Sequence, residues 1–387
     1  MYVSVPFCRA KCSFCNFASG VSSAERVADY VRELCAEFHD AGAKAERLGA
    51  ELPNAVDTVY FGGGTPSLLE ARQLREIFTA LRQQFSVAED AEITLEAAPG
   101  QIADELLEEV MRLGVNRASL GVQSFVDRES AAVGRTHTGE SCLQEIARLR
   151  ARGVKEIGAD LIAGLPYQTR ESWRISLEEA CNSELTHLSV YLLEIDEGSR
   201  LGREVLSGGA RLHAPAVATE ELAAELYERA CDFLEVNGCR QYEISNFAKG
   251  EGHQSRHNRK YWERAPYLGF GLDAHSMLLR ADGSAVRFAN ADELGEYHAG
   301  VGGETTELSE RDAFEESVFL GLRLNEGLSV TDLRERFPTA WVRSCEDRVE
   351  QLVRDGFMQV ENGRWRLTTR GRLVSSEVFG ELLAVPA

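Results

Sequence analysis

Tyr2-Val3-Ser4-Val5-Pro6-Phe7-Cys8-Arg9-Ala10-Lys11-Cys12-Ser13-Phe14-Cys15-Asn16-Phe17 begins as an apolar, strand-like run. It passes straight into a loop whose thiols are spaced Cys-x-x-x-Cys-x-x-Cys. Three thiols on so short a loop can wrap one face of a compact metal centre, and soft sulfur ligands favour zinc or iron-sulfur clusters over hard cations. A structural zinc site closes its tetrahedron with a fourth Cys or His, and a fully ligated cluster takes four thiolates. No fourth Cys or His lies in this loop. One corner of a four-iron four-sulfur cluster on Cys8, Cys12 and Cys15 would therefore stay open to a small molecule that chelates through an amino and a carboxylate group. Two plainer readings stand beside this one: a zinc site completed from elsewhere in the chain, and three unrelated thiols in a buried turn.

Outward from this stretch, its strand is the first of six. β-Rich runs at residues 2–6, 58–61, 92–96, 117–122, 156–162 and 187–193 alternate with amphipathic helical stretches. Val27, Val31, Leu34 and Phe38 paint one helix face, as do Leu74, Ile77, Phe78 and Leu81, and then Leu143, Ile146 and Leu149. The alternation predicts an α/β fold with a parallel sheet wrapped by helices, either open and doubly wound or a full or partial βα barrel. Both place chemistry at the C-terminal strand ends. The cysteine loop follows strand one, Gly62-Gly63-Gly64-Thr65-Pro66 follows strand two, Glu96 and Gln123 close strands three and four, and Asp160 sits late in strand five.

Size and charge narrow the classes. A chain of 387 residues predicts two or three packed units. The 62 acidic against 42 basic residues leave a formal charge of -20, which disfavours nucleic acid or an anionic membrane surface as the main partner. Cys35, Cys142, Cys181, Cys231, Cys239 and Cys345 are scattered through apolar patterns without paired spacing and read as reduced, mostly buried thiols. No apolar run is long enough to span a bilayer, and the N-terminus lacks a signal-peptide pattern. A reducing, cytoplasmic compartment is expected.

After Glu194 a loop with Gly198, Gly202, Gly208 and Gly209 leads into a long helix, which sets a boundary near residue 206. The expected units are 1–206, an intermediate segment 207–307, and 308–387. The intermediate segment holds His257-Asn258-Arg259-Lys260-Tyr261-Trp262. In the last unit three helical stretches, at 312–324, 330–337 and 342–355, precede a hairpin turning at Asn362-Gly363, the order of a winged helix. Its 11 Lys+Arg against 14 Asp+Glu (11 - 14 = -3) provide no basic face, so it reads as a packing or partner module.

Gly62-Gly63-Gly64 lacks both the Gly-Lys-Ser/Thr ending and the Gly-x-Gly-x-x-Gly spacing of nucleotide-phosphate loops. It is either a tight turn or backbone exposed to the amino group of a chelating amino acid. Glu96, Gln123, Arg135 and Asp160 are each ordinary polar residues singly. Together they supply what a zwitterionic, ribose-bearing ligand needs: a carboxylate for its amine, a cation for its carboxylate, and acceptors for its hydroxyls.

Tyr2, Pro6-Phe7-Cys8, Cys12-Ser13-Phe14-Cys15, the run from Gly62 to Pro66, and Gly164-Leu165-Pro166-Tyr167-Gln168-Thr169 resemble the radical S-adenosylmethionine superfamily, in its oxygen-independent coproporphyrinogen III oxidase-like branch. The resemblance implies a partial (β/α)6 barrel in which the cluster donates an electron into the sulfonium of S-adenosylmethionine to give an adenosyl radical. It implies Cys8, Cys12 and Cys15 as cluster ligands, and Tyr2, Phe14, Gly63, Gly64, Thr65, Glu96, Gln123, Arg135 and Asp160 as contacts of S-adenosylmethionine. Glu96 and Arg135 would serve its amino acid end, Gln123 and Asp160 its ribose.

Two subfamilies compete. Coproporphyrinogen dehydrogenases place another Cys two residues after the third ligand, where this chain has Phe17, and carry a longer segment before the first strand. Both departures, with the His-Asn-x-x-Tyr-Trp motif, point to the HemW-type haem chaperones, which implies haem and a haem-acceptor protein as partners. His257 would then bind iron, with Tyr261 and Trp262 offering flat faces to the porphyrin. The alternative for this motif is a buried His-Asn-Tyr hydrogen-bond cluster supporting the barrel mouth. His275 is a second histidine candidate. Ser4 stands where the family usually has His, which weakens the case for decarboxylation. Radical oxidation of coproporphyrinogen III remains the enzyme alternative, and a zinc-stabilised binding module the third.

Overall fold

In the computed structural model, which describes residues 1–383, period-two alternation sorts each strand into a helix-facing and a lumen-facing side. The strands are β1 (Tyr2–Val5), β2 (Ala55–Gly63), β3 (Ser86–Ala97), β4 (Arg117–Gln123), β5 (Glu156–Ala163) and β6 (His187–Leu192), each pairing in parallel with the next. Val3, Val5, Val59 and Phe61 are fully buried in the main core beneath the helices. Tyr2, Ser4, Tyr60 and Gly62, in register Tyr2 with Tyr60 and Ser4 with Gly62, take the opposite face.

Short strands flank these six. β7 (Arg240–Gln241) and β8 (Asn246–Ala248) extend the sheet antiparallel beyond β6, and β9 (Gly269–Phe270) runs parallel to β1 at the other edge. The order β7-β8-β6-β5-β4-β3-β2-β1-β9 is that of an open, partial barrel.

Between the strands lie α1 (Ala24–Arg47), α2 (Ala71–Gln84), α3 (Asp104–Leu113), α4 (Asp127–Ala132), α5 (Gly139–Ala151) and α6 (Arg170–Asn182). They are followed by α7 (Arg200–Leu206), α8 (Glu220–Val236) and α9 (Arg256–Trp262). Helix α1 starts where the Ser23 side chain accepts from the Arg26 amide, and buries Tyr30, Val31, Leu34, Phe38, Ala41 and Ala45 along one stripe. Each large apolar side chain so buried contributes about 1.5–3 kcal/mol.

Three local differences from the expected layout have physical reasons. Gly62 and Gly63 belong to β2 instead of following it, because they must lie flat against β1. Strand β3 begins six residues earlier than residue 92, where Ser86 pairs with Ala55; its exposed first residues carry no apolar alternation. Gly202, expected in a loop, sits inside α7, where a Cβ would come within 2.0 Å of the Asp196 carbonyl oxygen.

A second sheet, β10 (His275–Leu279), β11 (Ala285–Asn290) and β12 (Gly302–Leu308), is antiparallel, with α10 (Leu294–His298) between its last two strands. The C-terminal elements follow as α11 (Glu310–Gly321), β13 (Leu328–Ser329), α12 (Val330–Arg336), α13 (Thr339–Arg354), β14 (Met358–Glu361) and β15 (Arg364–Leu367). This is the order of a winged helix. They enclose a separate core around Phe314, Val342 and Trp365. The hairpin turns at Asn362 and Gly363, both at positive φ (52° and 73°), as a two-residue type I′ turn requires. Glu316 of α11 ties this unit to the rest, accepting from Arg264 at 2.8 Å while its other oxygen lies 2.7 Å from Arg287.

Candidate functional site

The cysteine loop is held in place by its backbone. The Cys8 amide donates to Gly20, Ser13 to Val133 just after α4, and Leu201 of α7 to Ser13. All three thiols are free, with Cys12 buried and Cys8 and Cys15 half-buried. Thr65 Oγ1 donates to Cys8 Sγ at 3.6 Å. Burial pushes the Cys12 thiol up, and the Arg135 guanidinium pulls it back down. Among the described residues no three His, Cys, Asp or Glu side chains converge as ligands of one ion.

The glycine run is what brings β2 against this loop. A Cβ on Gly64 would lie 2.7 Å from the nitrogen and oxygen of Phe7 and from the oxygen of Val5. On Gly63, at φ 97°, it would reach within 3.0 Å of Ser4 Oγ and 3.2 Å of the Tyr2 hydroxyl, and on Gly62 within 3.1 Å of the Glu96 carboxyl. The backbone is thus exposed to the lumen because nothing larger fits.

Glu96, Gln123, Arg135 and Asp160 meet in the same mouth. The Arg135 guanidinium crosses over Gly121, where a Cβ would lie 2.7 Å from Nη2 and 3.1 Å from Gln123 Nε2. Its Nε is buried without a partner. Gln123 ends β4 at φ 68°, next to a register shift; a strained residue there re-aims its side chain into the mouth. Ser119 Oγ approaches Asp160 Oδ1 at 3.5 Å. Burial raises Asp160, offset by Ser189, Arg135 and Ser119. Burial also lifts Glu96, to about 7, against the hydrogen bond from Tyr60 and with Asp160 adding to the rise.

Phe14 packs in a small apolar cluster with Val133, Ile162, Leu165 and Leu201. Gln168 of the Gly164–Thr169 motif is structural: it accepts from the Gly164 amide at 2.6 Å and donates to the Ile162 carbonyl at 3.1 Å, and Thr169 caps α6. The sequence reading missed Tyr60, whose hydroxyl donates to Glu96 Oε1 at 2.7 Å, and Tyr191, which follows Ser189 on the lumen side of β6. Counting back two residues from Gly62 along β2 marks Tyr60 as lumen-facing.

A family model described as the radical SAM superfamily matches residues 2–180, and one described as the HemN C-terminal domain matches residues 308–374. The heme chaperone HemW of Lactococcus lactis is 31% identical, covering 99% of this chain and 96% of its own length. The chain belongs to the HemW family of radical SAM proteins. HemW of Bacillus subtilis is also 31% identical, with 99% of this chain and 98% of its own length covered. So is a mitochondrial radical S-adenosyl methionine domain-containing protein 1 of Bos taurus, over 99% and 87%. The coproporphyrinogen III oxidase HemN of Escherichia coli has the same fold, with a TM-score of 0.82 at 24% identity over 98% of this chain and 89% of that one.

Radical SAM membership implies a four-iron four-sulfur cluster and S-adenosylmethionine, and the residues of this HemW-family mouth fit both. The donor set is three thiols without a fourth, and the orphaned Arg135 Nε, the carboxylates and the glycine cradle face one space. With Glu96 lifted to about 7 by burial, an ammonium group held by it would bind more tightly as pH rises through that value. The affinity for S-adenosylmethionine is expected to fall about tenfold between pH 8 and pH 6. Isothermal titration at the two pH values checks this.

The His-Asn-x-x-Tyr-Trp motif forms α9 and closes the other end of the barrel. His257 is buried, with Nδ1 at 3.1 Å from Thr58 Oγ1, Nε2 at 3.2 Å from the Tyr261 hydroxyl, and its amide donating to Glu92 at 2.9 Å. Thr58 lies five residues before Gly63, about 16 Å down the strand. Burial holds His257 well below its ordinary range. As folded both ring nitrogens are engaged, so a haem ligand at His257 would have to displace Thr58 or Tyr261. The hydrogen-bond cluster of the alternative reading lies at the barrel floor instead of its mouth, and the Asn258 side chain takes no part in its hydrogen bonds. Trp262 is covered by Arg323 at 4.4 Å. His275 is the accessible histidine of the two, with 57% of its side chain exposed and Asp273 at 3.9 Å.

Proposed function

We propose that this chain is a haem chaperone: it holds a four-iron four-sulfur cluster on Cys8, Cys12 and Cys15, binds S-adenosylmethionine in the barrel mouth, and carries haem for transfer to an acceptor protein. The observation that carries this reading is the end-to-end likeness to the heme chaperones of Lactococcus lactis and Bacillus subtilis. When bound, the reduced cluster supplies an electron to the sulfonium of S-adenosylmethionine. Glu96 takes the ammonium and Arg135 the carboxylate of that ligand, while Asp160 and Gln123 hold its ribose hydroxyls. Gly63 and Gly64 keep side chains out of its path.

Of the two histidines that the sequence offers for haem, His275 is the one whose imidazole is accessible, so this fold would ligate haem iron through it. Residues 308–387 serve as a packing or partner module, in keeping with their separate core and net negative charge. The compartment is the cytoplasm, and nucleic acid is not a partner of so acidic a chain. No helix among the described residues is long and apolar enough to cross a membrane.

The oxidase reading is weaker on this chain's own residues. Ser4 faces the lumen beside Gly63 with no imidazole to offer, and Phe17 is 63% exposed where a further thiol would be needed. The deciding experiment gives the reduced, reconstituted protein S-adenosylmethionine and coproporphyrinogen III. The expected result is unchanged porphyrinogen, and conversion to the divinyl product would establish the oxidase instead.

A further inference from the structure

His257 stands at the centre of a column of rings that begins on the barrel floor and ends in the mouth. The Tyr60 ring stacks on His257 at 4.9 Å and lies 6.1 Å from the Tyr2 ring, each at 23°. The Tyr261 ring meets the far side of His257 edge-on at 5.1 Å. A tyrosine stacked against two rings has its hydroxyl fixed in space, and here that hydroxyl donates to Glu96 Oε1 at 2.7 Å.

We propose that His257 is a positioning residue for the amino acid end of S-adenosylmethionine: through ring stacking it fixes Tyr60, which in turn holds the Glu96 carboxylate where the ligand's ammonium group arrives. The inference rests on Glu96 being that partner. Besides Tyr60, Glu96 is acted on by Asp160, Arg135 and the Gly63 amide, and the Tyr2 and Tyr191 phenols feel its charge. The groups that act on His257 are Thr58, Tyr261, Glu92 through its amide, and the charges of Lys260 and the terminal amino group. Among the described residues, Tyr60 is the link that hydrogen-bonds Glu96 and stacks on His257.

A hydrogen bond to a carboxylate stabilises its charged form. When Tyr60 is released, Glu96 keeps its proton to higher pH and meets the ammonium as a neutral acid. His257 therefore governs ligand affinity near neutral pH while touching no ligand atom.

The test is the dissociation constant of S-adenosylmethionine, by equilibrium dialysis from pH 6 to pH 9, on the full chain reconstituted anaerobically with iron and sulfide. Tyr60→Phe should weaken binding about tenfold at pH 7, the scale of one hydrogen bond to a charged group, and recover most of it at pH 9. His257→Gln, which keeps polar contacts but loses the ring, should move the profile in the same direction. His257→Phe keeps the ring and loses both hydrogen bonds, so it should melt earlier and yet retain the wild-type profile. The Tyr60→Phe, His257→Gln double variant should be no worse than Tyr60→Phe alone, because one acts through the other.

A His257→Gln profile that matches wild type, or a weakening in both His257 variants that follows thermal stability and is independent of pH, overturns the proposal. Glu96→Gln separates the underlying reading: wild-type affinity in that variant at every pH would remove Glu96 from the site altogether. Weak binding there, with His257→Gln unaffected, sinks the positioning role alone.

Discussion

Alanine at Cys8, Cys12 or Cys15 should reduce bound iron from about four per chain to under one, and remove the brown colour of the anaerobically reconstituted protein. No other cysteine can take over. The remaining six lie in helices α1, α5, α6, α8 and α13 or at Cys239 beside β7, and four of them are buried. The loss should be confined to the cluster, because the loop is held by backbone bonds, Cys8 to Gly20, Ser13 to Val133 and Leu201 to Ser13, that a side-chain truncation leaves in place. Far-ultraviolet circular dichroism should therefore match wild type while iron and sulfide analyses do not. A colourless wild-type protein holding one zinc per chain would sink the iron-sulfur reading. That would restore the zinc-stabilised module.

Arg135→Met should weaken S-adenosylmethionine about a hundredfold, the effect of losing a charge-assisted pair. The side chain sits over Gly121, its Nε is buried without a partner, and its charge offsets the burial of both Glu96 and Asp160. In the proposed role, its removal would cost the ligand its carboxylate partner and also drive Glu96 further towards the neutral acid. Lysine is no substitute, since an ammonium cannot reproduce the planar fork of donors. Iron content should be unchanged, which distinguishes a ligand-binding role from a cluster-binding one. Equilibrium dialysis on the reconstituted variant reads both, and a loss of less than about threefold would remove Arg135 from the site.

Both results concern the half of the molecule that was legible in the sequence. Six strands could be read because each carries a helix-facing apolar row, Val3 and Val5 on β1 or Val59 and Phe61 on β2, whose period survives whatever lies in the lumen; their order could not, since that period is the same in an open sheet and in a barrel. The polar residues at the strand ends could be gathered for the same reason: a parallel sheet sends every C-terminal end to one side. Strands β7, β8 and β9 were invisible, since two or three residues carry no period.

The motif helix α9 was the harder case. The six motif residues among its seven, His257 to Trp262, advertise a His, a Tyr and a Trp, but nothing local states which end of the barrel they reach. That is decided by Glu92, buried at the start of the lumen-facing part of β3 and accepting from the amides of Arg256 and His257. Arg117 stands 3.7 Å from the same carboxylate. A carboxylate and a helix start so far apart in sequence cannot be paired by reading either one alone. Tyr60 escaped for a different reason. It stands between Val59 and Phe61 in an unbroken apolar run that hides its face, and only its register with Tyr2 makes it part of the mouth.

Haem titration of the reconstituted, cluster-bearing chain tests the central claim most directly, with the Soret band followed to saturation. A saturable band at one haem per chain is expected, weakened in His275→Ala and kept in His257→Ala, whose imidazole is already engaged by Thr58 and Tyr261. A Soret band that never saturates, or that is no different from haem mixed with an unrelated protein, would contradict it.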